Sequence, residues 1–170
     1  MTPIYITAIE MYSSKDVLDV TLDYYQKAYA IYKKQGNHTE MAKMENNLAI
    51  IYAQGNDKDR VMEYFMHVYA YQAKKNNSVQ LVKILNNMGT LYLSNDIDSS
   101  LYYFKKAHSI SKKLKNNSLN VYVYTNLARA YYLKSNSLQT KKYFEKALAN
   151  IKLPIDSSTS DNVTVLFNSR

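Results

Sequence analysis

Asn46-Asn47-Leu48-Ala49-Ile50-Ile51-Tyr52 decides how the chain reads, because the chain repeats it. The stretch returns as Asn86-Asn87-Met88-Gly89-Thr90-Leu91-Tyr92, and again as Thr125-Asn126-Leu127-Ala128-Arg129-Ala130-Tyr131. A second block follows each copy: Tyr64-Phe65 with Val68, Tyr103-Phe104 with Ala107, and Tyr143-Phe144 with Ala147. A weaker copy, Tyr24-Tyr25 with Ala28, lies upstream. Phe65 and Phe104 stand 39 residues apart, and Phe104 and Phe144 stand 40 apart. A fixed period of this size means stacked supersecondary units, each too small to bury its own apolar face.

The units read as helices. Apolar positions Val17, Val20, Leu22, Tyr25, Ala28, Tyr29 and Tyr32 recur at helical rather than strand spacing. Gly36-Asn37, Asn76-Asn77 and Asn116-Asn117 recur every 40 residues, and Gly or Asn tolerates the left-handed backbone that stops a helix. Thr39, Ser78 and Ser118 are then the expected caps of the following helices. Tight turns fall at Gly55-Asn56-Asp57, Ser94-Asn95-Asp96 and Ser135-Asn136-Ser137. The predicted helices cover about 2–13, 16–35, 39–54, 58–75, 78–93, 97–115, 118–134 and 138–152. Thr2-Pro3 opens the first, and Pro154 closes the last. Beyond it, 156–162 is polar and Ser-rich, whereas Val163-Thr164-Val165-Leu166-Phe167 is apolar. That segment is either a truncated fifth repeat or a cap over the last one, since a terminal repeat otherwise bares its stacking face.

Composition narrows the function classes. The chain has 170 residues, 3 Gly and 2 Pro, too few turn formers for an all-β sandwich. It has no Cys, so disulfides and thiolate chemistry are excluded. No run of about 18 apolar residues predicts a membrane span, and Met1–Glu10 does not read as a signal peptide. The compartment is therefore open, with the cytoplasm as the default. The net charge of +8 is uneven: residues 1–85 carry 10 Lys/Arg and 9 Asp/Glu, and residues 86–170 carry 12 and 5. Lys33-Lys34, Lys74-Lys75 and Lys112-Lys113 fall where helix C-termini are expected, and cations there offset the helix dipole. No nucleic acid is expected as a partner, because the tyrosines available for base stacking mostly sit on the inward pattern.

The repeat resembles the tetratricopeptide repeat. That family has a large apolar residue, a small one, and then an aromatic in its first helix. Here these are Leu48, Ala49 and Tyr52; Met88, Gly89 and Tyr92; and Leu127, Ala128 and Tyr131. Its second helix has an aromatic and then a small residue, here Phe65 and Val68, Phe104 and Ala107, and Phe144 and Ala147. The unit is longer than the usual ~34 residues and lacks the usual terminal Pro. The longer variant resembles repeats of kinesin light chains and of bacterial peptide-pheromone receptors. The resemblance implies an all-α, right-handed superhelical solenoid over 2–152, with repeats at about 2–36, 37–76, 77–116 and 117–152 and a tail at 153–170.

It also implies a concave groove lined by the first helices and a non-catalytic role in binding a peptide or partner protein. Carried over position by position, Asn47, Asn87 and Asn126 face that groove, where an amide can hydrogen-bond an extended peptide backbone. The competing reading is that these amides sit on a wet surface or bond to the neighbouring repeat. Lys43, Lys83 and Arg129 are expected beside them, with Tyr122 in the third unit, and together they suit an acidic segment. The carboxylate clamp of chaperone-binding members is not reproduced, since Asn46, Asn86 and Thr125 stand where it first uses Lys. A second reading is a sensor or regulatory region separated from its output domain. An exposed end repeat would also suit homodimerisation.

Other chemistry finds no footing. His38, His67 and His108 lack metal-ligand spacing. No phosphate loop or nucleophile elbow occurs. Asp57, Asp59, Glu63, Asp96 and Asp98 fall at expected helix starts, where acids are favoured. No catalytic residue, metal or cofactor is expected.

Overall fold

A computed structural model describes residues 15–54 and 57–151. The predicted helix over 2–13, the Gly55-Asn56 turn and the 153–170 tail lie outside the described residues. Among the described residues all regular structure is helical. Seven helices follow in order: α1 (Lys15–Lys34), α2 (His38–Gln54), α3 (Lys58–Lys74), α4 (Ser78–Tyr92), α5 (Ile97–Ser111), α6 (Asn117–Leu133) and α7 (Ser137–Asn150). The fold class is all-α, as the periodicity predicts. None of these helices is long and apolar enough to cross a membrane.

The helix starts share one device. Asn37, Asp57, Asn77, Asp96, Asn116 and Asn136 each accept a hydrogen bond from the backbone N–H three residues on. An Asx oxygen there satisfies one of the orphan donors of the first turn. Successive caps stand about 20 residues apart, half of one repeat. The predicted caps Thr39, Ser78 and Ser118 are thus corrected to Asn37, Asn77 and Asn116. The paired turn residues divide the labour: Gly36 (φ 65°) and Asn76 (φ 53°) adopt the left-handed stop, and the Asn that follows starts the next helix. Ser135 takes the same conformation (φ 57°) ahead of Asn136. Helix α5 ends at Ser111 rather than near 115, because the chain tightens there into Lys113 N–H to Ile110 and Leu114 N–H to Ser111 turn bonds.

Helices α2/α3, α4/α5 and α6/α7 pack most extensively, so the described residues form three helical hairpins with α1 ahead of them. Helix α3 then meets α4, α5 meets α6, and α4 also touches α6. The core runs continuously through these contacts, from Ala42 and Ala49 to Leu127 and Ala147. One stacked tyrosine pair marks every hairpin: Tyr52 on Tyr64, Tyr92 on Tyr103 and Tyr131 on Tyr143, with ring centroids 5.8, 5.8 and 5.6 Å apart. Such pairs add about 0.5–1.5 kcal/mol beyond area burial. Two ends depart from the pattern. Phe65 and Phe104 are buried but Phe144 is only half-buried, since no described unit follows it. Helix α1 packs on α2 with none of its described side chains fully buried, and Val20 is exposed.

The small residue of α4, Gly89, is decided by its ring partner. A Cβ on Gly89 would lie 2.5 Å from Cδ1 and Cε1 of Phe104, a side chain with no exposure and no free end to swing away. Gly89→Ala should therefore be destabilising by about 1–2 kcal/mol, because overpacking outweighs the roughly 1 kcal/mol of helix propensity gained. Urea titration checks this. A variant more stable than the wild type would mean that the two helices are free to separate.

Candidate functional site

A broad concavity runs over α2, α4 and the first half of α6, with α1 and the end of α3 forming its rims. Its volume is about 2080 Å³, above the ~300–1000 Å³ usual for small-ligand pockets. A chain segment fits such a space better than a metabolite.

The repeat period places its side chains. Lys43 and Asn47 stand on one face of α2, four residues apart. Lys83 and Asn87 hold the same two positions on α4, one repeat later, and all four line the groove. Lys75 joins them from the end of α3, 5.9 Å above the Tyr71 ring. Tyr71 is held in turn by a 2.9 Å hydrogen bond between its hydroxyl and that of Thr39. Among the described residues no Asp or Glu lines the groove. The nearest acid in contact is Glu40, whose Oε1 accepts from Lys43 Nζ at 2.6 Å. Tyr24, Tyr25, Tyr32, Tyr71 and Tyr122 supply the groove with aromatic surface. Tyr25 reads from sequence as core, yet it is half-buried and reaches this wall, since among the described helices α1 packs mainly on α2.

Two of the expected residues fall elsewhere. Asn126 does not line the groove. Its Nδ2 donates to Oδ1 of Asn86 at 2.9 Å, and the fully buried Asn86 donates to the Val82 carbonyl at 2.9 Å. This amide ties α6 to α4. Asn87 makes the equivalent bond to Asn46 only at 3.5 Å, at the weak limit, and Asn47 has no hydrogen-bond partner among the described residues. The three asparagines are therefore not equivalent, and Asn47 and Asn87 alone keep amide capacity on the groove wall. Arg129 lies in a separate shallow hollow with Thr90, Leu93, Ser94, Ile97 and Leu133. It shares an angular position with Tyr122, but seven residues of helix place it about 10 Å further along the axis, and the groove crosses α6 only between Asn116 and Tyr122.

The one buried acid among the described residues lies outside the groove. Glu45 is buried where α1, α2 and α3 meet, 3.3 Å from the Tyr29 hydroxyl, which donates to it, and 3.5 Å from His67 Nδ1. Burial pushes its carboxyl above the ordinary value of 4.5, and His67 and Tyr29 only partly offset this. A raised folded-state value means that the charged form is the costly one. Stability contributed here is fully present below pH 4.5 and is lost as pH rises through the folded-state value. Glu45→Gln keeps the Tyr29 hydrogen bond and removes the charge. It should raise the melting temperature at pH 7 and leave it unchanged near pH 3. A lower melting temperature at pH 7 would show that the His67 pairing outweighs burial. Among the described residues no group of three His, Asp or Glu side chains could hold a metal ion.

No protein-family model and no curated protein matches the sequence. Among solved structures, the chain is similar to the crystal structure of BtubC (BKLC) from P. vanneervenii, with a TM-score of 0.70 at 21% identity. The match covers 79% of this chain and 57% of that one, so the chain spans little more than half of that protein's length. Identity this low speaks to the fold alone.

Proposed function

We propose that the chain is a non-catalytic protein-interaction module of tetratricopeptide type, its hairpins stacked in a right-handed superhelix, and that the groove binds an extended peptide segment of a partner. The observation that carries this reading is the repetition of Lys43 and Asn47 as Lys83 and Asn87 on one wall of a groove with no carboxylate among its described residues. Amides one repeat apart can hold a peptide backbone through both donor and acceptor groups. The lysines select for negative charge more than they add affinity, as exposed charges at an interface do. The tyrosines offer rigid, amphipathic contact area at low entropic cost.

Peptides selected from a random display library against the full chain test the reading. Binders should be enriched in Asp and Glu. They should lose binding to a Lys43→Gln/Asn47→Ala/Lys83→Gln/Asn87→Ala variant whose helicity by circular dichroism is unchanged. Retention of every selected peptide by this variant would move the site out of the groove.

A further inference from the structure

From Ser99 to Ile151 the chain carries ten Lys/Arg and one acid, Glu145. The fold gathers part of this excess. On α5, Lys105, His108 and Lys112 follow at spacings of three and four and so share a face. On α7, Lys142 and Lys146 do the same. The two stripes meet where the His108 ring stands edge-on to Tyr124 of α6 and Tyr143 of α7, at 5.2 and 6.0 Å. Tyr131 stacks on Tyr143 behind them. Lys105 lies over Tyr131 at 5.8 Å, Lys142 over Tyr143 at 6.0 Å, and Lys146 over both Tyr124 and Tyr143 at 5.7 and 5.5 Å. The ion pairs among the described residues engage Lys27, Lys43, Arg60, His67 and Lys134, and none of these four lysines. Burial first, and then the like charges of Lys146, Lys112 and Lys142, hold His108 below its ordinary pKa. None of these residues lines the groove.

We propose that Lys105, Lys142 and Lys146, set over the His108–Tyr124–Tyr131–Tyr143 floor, with Lys112 at the C-terminal cap of α5 beside them, form a second interaction surface that takes an acidic protein segment rich in Asp and Glu. Charge complementarity selects an anionic partner. Single-stranded nucleic acid fits less well, because it needs free aromatic faces for its bases. Here the lysines already cover those faces, and Tyr124 and Tyr143 are each 9% exposed. The cluster also has no arginine, whose planar fork suits phosphate. A bilayer needs an apolar stripe beside the charges, whereas Leu138 and Tyr102 are single exposed residues on separate helices.

Fluorescence anisotropy on the full chain decides between these partners, with three probes: a labelled peptide of alternating Glu and Ser, an oligothymidylate of matched charge, and phosphatidylserine vesicles. The peptide should bind best, and more weakly as salt rises. Lys105→Gln/Lys142→Gln/Lys146→Gln should weaken its binding about tenfold, since three exposed charge pairs are removed together. The same three positions changed to Arg should retain it. These titrations are run on the Lys43→Gln/Asn47→Ala/Lys83→Gln/Asn87→Ala background, which silences the groove, so that the binding left over reports this face alone. An NMR titration of His108 gives a second readout, because an anion seated among the lysines raises its pKa in the wild type without any substitution. Preference for the oligonucleotide or the vesicles, undiminished binding to the Gln variant, or a His108 titration that the peptide does not move would each overturn the proposal.

Discussion

Phe104→Ala should lower the free energy of unfolding by about 3–5 kcal/mol, toward the upper end of that range. The ring has no solvent exposure and lies against Gly89, whose missing side chain is the space the ring occupies. Collapse around the resulting cavity is limited, because two residues at the contact, Gly89 and Ala107, are too small to fill it. The cost of a large-to-small change rises with the cavity that stays open. Phe104 also belongs to the middle hairpin, whose helices meet neighbours on both sides. Urea unfolding should therefore show a lower midpoint and a broader transition, as the hairpins on either side become less coupled. Phe144→Ala, at the equivalent position of the last hairpin, should cost less than half as much because the ring is only half-buried. Equal losses at the two positions would mean that α7 is covered in solution as fully as α5.

The contrast between these two phenylalanines shows what sequence carries. The 40-residue recurrence fixes the helical type and order of the elements over 38–150, because helix spacing, turn residues and apolar pattern agree in the three units described there. It also places Lys43, Asn47, Lys83 and Asn87 together, since residues one repeat apart on first helices must share a wall. Burial of Phe144 does not follow from the motif, as it depends on what lies beyond the last hairpin. The caps were misassigned for a local reason. Where Asn, Ser and Thr stand side by side, each can cap, and only the backbone path selects Asn37 over Thr39 or Asn116 over Ser118. Arg129 fails for a geometric one: the groove's oblique course across α6 comes from how the hairpins sit on one another, and the repeat pattern records a residue's angular position but not that course. The lysines over Tyr124, Tyr131 and Tyr143 are legible in sequence only as an excess of charge, since the cluster draws on three helices and its lysines share no repeat position.

Asn86→Ala should cost about 2–4 kcal/mol, whereas Asn47→Ala, at the position next to its counterpart Asn46, should change stability by no more than about 0.5 kcal/mol. Asn86 has no solvent exposure, and its amide is used from both sides. Its Nδ2 donates to the Val82 carbonyl one turn back, and its Oδ1 accepts from Asn126 across the α4–α6 contact. Alanine leaves a cavity and strands the Asn126 donor. The reverse change, Asn126→Ala, strands the buried Asn86 oxygen instead, and an unsatisfied buried acceptor costs roughly 1–3 kcal/mol. Because either substitution breaks the same bond, the double variant should be little worse than Asn86→Ala alone. The cycle should return a coupling of about 1 kcal/mol or more. Asn47 faces the groove and bonds to no described residue, so its loss removes little from the fold and should instead weaken peptide binding. Stability and binding thus separate the two roles that one residue type plays in this repeat. If Asn86→Ala were as mild as Asn47→Ala, the amide bond between α4 and α6 would not hold in solution, and Asn126 would be free to act on the groove wall with the other two.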